Sequence, residues 1–186
     1  VNLEFRTLKK SDMSDVLSWR ASCPEALRTP FQLTEEQQED FYKNVICNRN
    51  ANAKFWGIEI EDVMEDGCDL YQLVGMCGLE NISWENSLAE ISIILDPKFK
   101  GKGYGKEAVK MLLDKGFNYL NLNNIYGEVY TCNSGFFFWE KIIKQYNGTK
   151  SILPNRKYWN GNYYDAIYFN FTKEGWESKI CQEKKK

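Results

Sequence analysis

Histidine is absent from all 186 residues. That removes Ser-His-Asp and Cys-His nucleophilic catalysis, histidine-ligated metals and imidazole as a general base. Proton transfers must then run through carboxylates, tyrosines, thiols, lysines or water. Cysteines are present at 23, 47, 68, 77, 132 and 181, yet no two are spaced Cys-x-x-Cys, which speaks against a zinc site and leaves no metal expected. No apolar run approaches the roughly 18 residues of a membrane span, so no membrane partner is expected. The opening Val1-Asn-Leu-Glu-Phe5 reads as a strand and not as a signal peptide. The cysteines therefore read as reduced thiols filling the core of a cytoplasmic protein. Positive charge is not in excess either: the net charge of −2 argues against a nucleic-acid partner, which requires a positive surface. Internal repeats and low-complexity linkers are also missing.

What is present belongs to a folded α/β protein. An aromatic fraction of 15% argues against extended disorder. The length suggests a single domain over residues 1–171, followed by a polar tail at 172–186 that opens on a short helix. Leu3, Phe5 and Thr7 alternate with polar residues as a first strand. Ser11 is placed to cap a helix through Met13, Val16, Leu17 and Arg20. Thr34 and Gln37 form a capping box for a second helix reaching Ile46. Residues 55–60 and 70–79 read as strands around a polar loop at 61–69, and 88–95 is a strand stopped by Asp96-Pro97. Ala108, Val109, Leu112, Leu113, Gly116, Phe117 and Leu120 recur at helical steps. A strand at 125–130, an aromatic helix at 136–143 and a strand at 163–171 follow. Strands alternate with helices only in the second half, so the order predicts a mixed sheet with helices on both faces.

The stretch between Asp96 and the 108–120 helix carries the chemistry. Gly101, Gly103 and Gly105 let the backbone turn tightly and approach a ligand. The amides of Lys100, Gly101, Lys102, Gly103, Tyr104 and Gly105 then converge at a helix N-terminus, with Lys98, Lys100, Lys102 and Lys106 adding charge. Together these features call for a phosphate or pyrophosphate. The spacing is neither the Walker pattern, which requires Gly-Lys-Ser/Thr, nor the dinucleotide pattern.

Lys100-Gly-Lys-Gly-Tyr-Gly105 resembles the Arg/Gln-x-x-Gly-x-Gly/Ala pyrophosphate motif of GNAT acetyltransferases, with Lys100 where Arg or Gln is usual. The likeness extends over about residues 70–171. Leu73–Asn81 and Asn86–Ile91 look like the paired central strands of the branch that holds ribosomal-protein N-terminal and spermidine acetyltransferases. Residues 119–122 and 128–133 resemble its later helix end and strand, and 160–166 resemble the entry to its last strand. The first 70 residues match only in layout.

The resemblance implies a GNAT fold: a mixed, mostly antiparallel sheet of about seven strands, splayed between 88–95 and 125–130. It also implies acetyl-CoA as co-substrate, with the pantetheine arm pairing near Ile93 and Leu95, and with Asn133 beside the cofactor. The reaction implied is direct attack of a neutral amine on the thioester. The non-enzymatic alternative is a module that binds acetyl-CoA without turning it over.

Glu90 stands where some members carry a general-base glutamate, and alternation puts it on the face opposite Ala89, Ile91 and Ile93. A strand rises about 3.3 Å per residue, so residues 90–96 span about 20 Å, the reach from pyrophosphate to sulphur. Glu128 matches a second glutamate of the N-terminal acetyltransferases. Either carboxylate is also readable as a structural partner of a basic neighbour. Trp139 replaces the tyrosine that members often use as general acid, which leaves Tyr130 or Tyr146 for that role. Cys132 as an acetylated nucleophile is the less favoured route.

The acceptor remains open between an amino sugar, a polyamine, an antibiotic amine and a protein N-terminus. Arg20 and Arg28 are suited to a phosphate or carboxylate. Glu35, Glu36, Glu39 and Asp40 are suited to a polyamine or simply to the helix dipole. A homodimer is the oligomer such a chain would form.

Overall fold

The computed structural model describes residues 2–28, 31–63 and 69–183. In chain order the elements are β1 (Leu3–Arg6), α1 (Met13–Ala21), α2 (Glu35–Phe41), β2 (Lys54–Val63), β3 (Asp69–Ser83), β4 (Leu88–Leu95), α3 (Tyr104–Asp114), β5 (Asn124–Tyr130), α4 (Phe136–Gln145), β6 (Thr149–Trp159), β7 (Asn162–Thr172) and α5 (Lys173–Glu183). The strands follow the order β1-β2-β3-β4-β5-β7-β6 in a seven-stranded mixed sheet. The β1–β2, β2–β3, β5–β7 and β6–β7 pairs are antiparallel, and β4–β5 is parallel. That parallel ladder covers only Leu88↔Asn124, Ala89↔Ile125 and Glu90↔Tyr126, although β4 continues to Leu95 and β5 to Tyr130. The pairing thus stops after three residues, where a splay was expected.

Internal packing divides the chain into two compact units. The first comprises Val1–Ser22, Leu33–Asn81 and Ser92–Leu112; the second comprises Cys23–Gln32, Ile82–Ile91 and Leu113–Lys186. Leu8, Met13, Val16, Trp19 and Met76 form a buried cluster in the first unit, walled by Phe41, Phe55 and Leu73. The Thr34–Gln37 capping box forms as expected: Thr34 Oγ1 accepts from Gln37 N at 3.2 Å, and Gln37 Oε1 accepts from Thr34 N at 2.9 Å.

Ser11 does not cap α1. A 3-10 turn at Lys10–Asp12 precedes the helix, and Asp12 is held by Arg6 Nη1 and by Lys9 N, each at 2.7 Å. The buried ion pair fixes the chain one residue after Ser11 and so moves the helix start to Met13. The polar loop expected at 61–69 is shorter at both ends, because β2 runs to Val63 and β3 begins at Asp69; the residues between lie outside those described.

In the second unit, all seven residues of β5 pair with β7. Alternation sends Ala89, Ile91, Ile125, Val129, Phe169 and Phe171 to one buried face. There Trp139 of α4 lies 4.8 Å from Phe169, ring to ring. The segment expected as a polar tail is helical from Lys173 to Glu183, anchored by buried Trp176 against Phe117 and Tyr146. Strand β6 had no counterpart in the sequence reading. It is an edge strand with mostly exposed residues, a register shift between Leu153 and Lys157, and Pro154 within it, so no alternation marks it.

Candidate active site

Two features concentrate the chemistry, one in each unit. In the first unit, β4 ends where Asp96 N donates to Val74 O at 2.9 Å. The close approach of β3 and β4 there requires Gly75, since a Cβ would lie 2.6 Å from Ile94 O. Asp96 then accepts from Lys98 N at 2.9 Å and shapes the short turn Pro97–Phe99. Gly101 and Gly103 follow with φ of +77° and +92°, a region that side chains disfavour. Gly103 O accepts from Lys106 N at 3.1 Å and Glu107 N at 3.3 Å, which starts α3. The amides of Tyr104 and Gly105 belong to the first helical turn, whose N–H groups have no intrahelical partner.

Among the described residues nothing approaches within 4 Å of where a Cβ would stand at Gly101 or Gly103. Lys98, Lys100, Lys102 and Lys106 are exposed around this space, and Lys102 Nζ rests 4.9 Å over the Phe99 ring. Positive backbone, positive side chains and open room suit a pyrophosphate. Ile93 and Leu95 are half-buried on β4 just before the loop.

In the second unit, Glu90, Tyr126, Glu128, Tyr130 and Tyr168 share the sheet face opposite the aromatic core. The register sets Glu90 beside Tyr126 and Glu128 beside Tyr168, with Tyr130 two residues beyond Glu128. Glu90 is buried and receives Arg28 Nη2. Glu128 accepts from Arg156 Nε at 2.9 Å. Lys157, buried on the same hairpin, donates Nζ to Leu27 O and lies 4.8 Å from the centre of the Tyr130 ring. Burial pushes the Lys157 ammonium below its usual range, against the pull of Cys132 and Glu25. Burial likewise raises the Tyr130 phenol; Glu128 adds to this, and Arg28 and Arg156 only partly offset it. Tyr130 therefore keeps its proton at neutral pH. Tyr168 is raised by burial and then by Glu90 and Glu128 together.

Three of the expected catalytic residues, Glu90, Glu128 and Tyr130, thus fall on one face. Asn133 also lies in this unit, but its Oδ1 is committed to Gly135 N at 2.7 Å, shaping the turn into α4. Trp139 packs on the opposite face against Phe169, and Tyr146 is in the core against Trp176, so neither shares the face of the carboxylates. The Phe136–Phe138 run, expected to be packing, leaves Phe137 71% exposed. Burial raises the Cys132 thiol, whose Sγ donates to Glu25 O at 3.7 Å; both facts oppose a nucleophilic role. Arg20 belongs to the first unit and Arg28 to the second. Arg156, Lys157 and Tyr168 were not anticipated. The only local signal was a run of two cations after Pro154.

A family model described as "Acetyltransferase (GNAT) domain" matches residues 2–137. The chain is 30% identical over 164 residues to the uncharacterized N-acetyltransferase p20 of Bacillus licheniformis, covering 81% of this chain and 88% of that protein. It is 28% identical over 144 residues to the putative ribosomal N-acetyltransferase YdaF of Bacillus subtilis, covering 75% and 74%. Among solved structures, spermidine N-acetyltransferase from Vibrio cholerae in complex with CoA and spermine superposes with a TM-score of 0.79 at 20% identity, over 94% of this chain and 98% of that one. A GNAT match over most of the chain, a relative of almost the same extent and a glycine-lysine cradle at a helix N-terminus agree: the chain belongs to the GNAT acetyltransferase family and is an acetyl-CoA-dependent N-acetyltransferase.

Proposed function

We propose that this chain acetylates the primary amine of a small molecule by direct attack within one ternary complex, with Glu90 as general base and Tyr130 as general acid. The observation that carries the reading is the shared sheet face of Glu90, Glu128 and Tyr130. Acetyl-CoA supplies a thioester whose acetyl carbon is the electrophile. The amides between Gly101 and Gly105 and the charges of Lys98, Lys100, Lys102 and Lys106 bind its pyrophosphate, the amides of Lys100 and Lys106 being taken by Pro97 O and Gly103 O, and the β4 backbone at Ile93 and Leu95 orients the arm that follows.

An amine arrives protonated at neutral pH. Glu90 takes the proton that the nitrogen must shed as the C–N bond forms. Glu128, paired with Arg156, holds that arginine beside the site. Tyr130 gives its proton to the departing sulphur as the C–S bond breaks, and both groups are restored through solvent. With Trp139 packed on the core face, a phenol on β5 takes the place of the helix tyrosine that other members use.

Both compact units serve as one catalytic domain in this reading. Among the described residues Cys23, Cys47, Cys77, Cys132 and Cys181 form no disulfide, which supports a reducing compartment, the cytoplasm; among the same residues no helix is long and apolar enough to cross a membrane. Relatives named for spermidine support a small-molecule acceptor. The test is thiol release from acetyl-CoA over a panel of amines. Amine-dependent release supports the reading, and acetyl-CoA binding without release by any amine indicates the non-enzymatic module instead.

A further inference from the structure

The second unit presents its carboxylates in an unusual way. Glu90 and Glu128 are nearly covered, with side chains 7% and 10% exposed, while the arginines on them, Arg28 and Arg156, are 55% and 56% exposed. A ligand approaching this face meets two guanidiniums first and the carboxylates beneath. A guanidinium has five donors in a planar fork, and Arg156 meets Glu128 through Nε, which leaves its terminal nitrogens to face a ligand. Arg28 and Arg156 stand near enough to repel each other, and buried Lys157 on the same hairpin adds a third cation.

A polycationic acceptor fits this arrangement poorly. Its second ammonium would need a carboxylate not already neutralised, and would approach two exposed guanidiniums. An oxyanion fits well, because arginine forks bind carboxylates and phosphates in two-point contacts.

We infer that the acceptor is an amine carrying an oxyanion, carboxylate or phosphate, with the amine directed to Glu90 and the oxyanion to Arg156. The inference rests on the reading of Glu90 as the base. Register and strand geometry bound the spacing. Glu90 is beside Tyr126, and Glu128 is two residues further on the same strand. At about 4.8 Å between strands and about 3.3 Å per residue, the two backbone positions are about 8 Å apart. An acceptor that bridges Glu90 and Arg156 therefore carries its oxyanion on the order of 8 Å from the reactive nitrogen.

The test uses matched pairs: glucosamine against glucosamine 6-phosphate, and 4-aminobutyramide against 4-aminobutyrate, with spermidine as the polycation. In the full chain, the anionic partner of at least one pair should have a kcat/KM about tenfold or more above its neutral partner, as one charge-assisted hydrogen bond provides. The pair that shows it distinguishes phosphate from carboxylate. The ratio should shrink when salt is raised from about 50 mM to about 500 mM. It should collapse toward one in Arg156→Gln and survive in Arg156→Lys, which keeps the charge; the salt series gives the same information without any variant. Equal rates within both pairs, preference for spermidine, or a ratio undiminished in Arg156→Gln would overturn the inference while leaving the acetyltransferase reading intact. Failure of every amine to release thiol would overturn both, and is distinguishable from the other outcomes by that silence.

Discussion

Replacing Glu90 with glutamine removes the charge and keeps the shape, so its effect can be divided into chemistry and folding. On the chemical side, loss of a general base typically costs about 10²–10⁴-fold in rate. On the folding side, Glu90 is buried and paired with Arg28. Stranding a buried charge would cost about 3–5 kcal/mol. The charge left behind here belongs to Arg28, whose side chain is 55% exposed and can turn to water. The loss should then be nearer the ~1 kcal/mol of an exposed pair, or about 2–4 °C in Tm for a chain of this size. Glu90→Gln should remain folded at 25 °C, and its rate loss should report chemistry. Acetyl-CoA affinity by calorimetry should be nearly unchanged, because Lys100–Lys106 are untouched. The rate should recover in part at high pH, where more of the amine is already neutral. Thiol release measured across pH is the assay. A fully active Glu90→Gln alongside a dead Glu128→Gln would refute the reasoning and put the base on β5. Two fully active variants would mean that the amine sheds its proton to water.

Further outcomes follow from the same geometry. Gly103→Val forces a β-branched residue to φ +92° and places its side chain in the open space over the loop; calorimetry should show acetyl-CoA affinity falling at least about tenfold for each charge-assisted hydrogen bond lost, at ~1.5 kcal/mol or more apiece, and unchanged affinity would remove the pyrophosphate from this loop. Tyr130→Phe keeps the ring that Lys157 packs on but removes the proton; steady-state kinetics should show kcat down by about 10²-fold with the KM for acetyl-CoA little changed. Lys157→Met tests the buried ammonium by pH. The folded-state pKa of Lys157 lies below the unfolded value, so between the two the unfolded chain holds more protons and wild-type stability gains from this residue as pH rises toward 10.5. Urea unfolding at pH 7 and pH 10 should show the stability of Lys157→Met relative to wild type declining at the higher pH; a difference independent of pH would contradict the burial of this charge.

Local signals made much of the fold readable. The 3.6-residue stripe of α3, the glycines ahead of it and the Thr34–Gln37 box depend on near neighbours and came out as expected. Where a distant partner intervened, local reading failed. Ser11 looked like a cap until Arg6 of β1 captured Asp12. The short helix expected at the start of the tail runs on to Glu183, because Trp176 is covered by Phe117 and Tyr146. Strand β6 is an edge strand interrupted by a register shift, and such strands need no buried alternation. A signal for its hairpin was nonetheless present: Asn160 and Gly161 take φ of +47° and +80° between paired Trp159 and Asn162, the Asn-Gly turn that joins two strands tightly.

The same division runs through the site, and it explains why the reaction was legible when the acceptor was not. Glu90, Glu128 and Tyr130 lie on β4 and β5, where alternation alone decides which side chains share a face. The cations paired with those carboxylates come from elsewhere. Arg28 is 62 residues from Glu90, and Arg156 is 28 residues from Glu128. Arg156 reaches Glu128 from a strand that β7 separates from β5 in the sheet order. Lys157 fixes the Arg28 segment from that same strand through Leu27 O. A sequence can show a carboxylate and the face it occupies, but the charge opposite that carboxylate depends on strand order, which is a property of the whole sheet. If the acceptor meets Arg28 and Arg156 as proposed, substitutions in the β6–β7 hairpin and in the segment around Arg28 should change which amine is taken before they change the chemistry done to it.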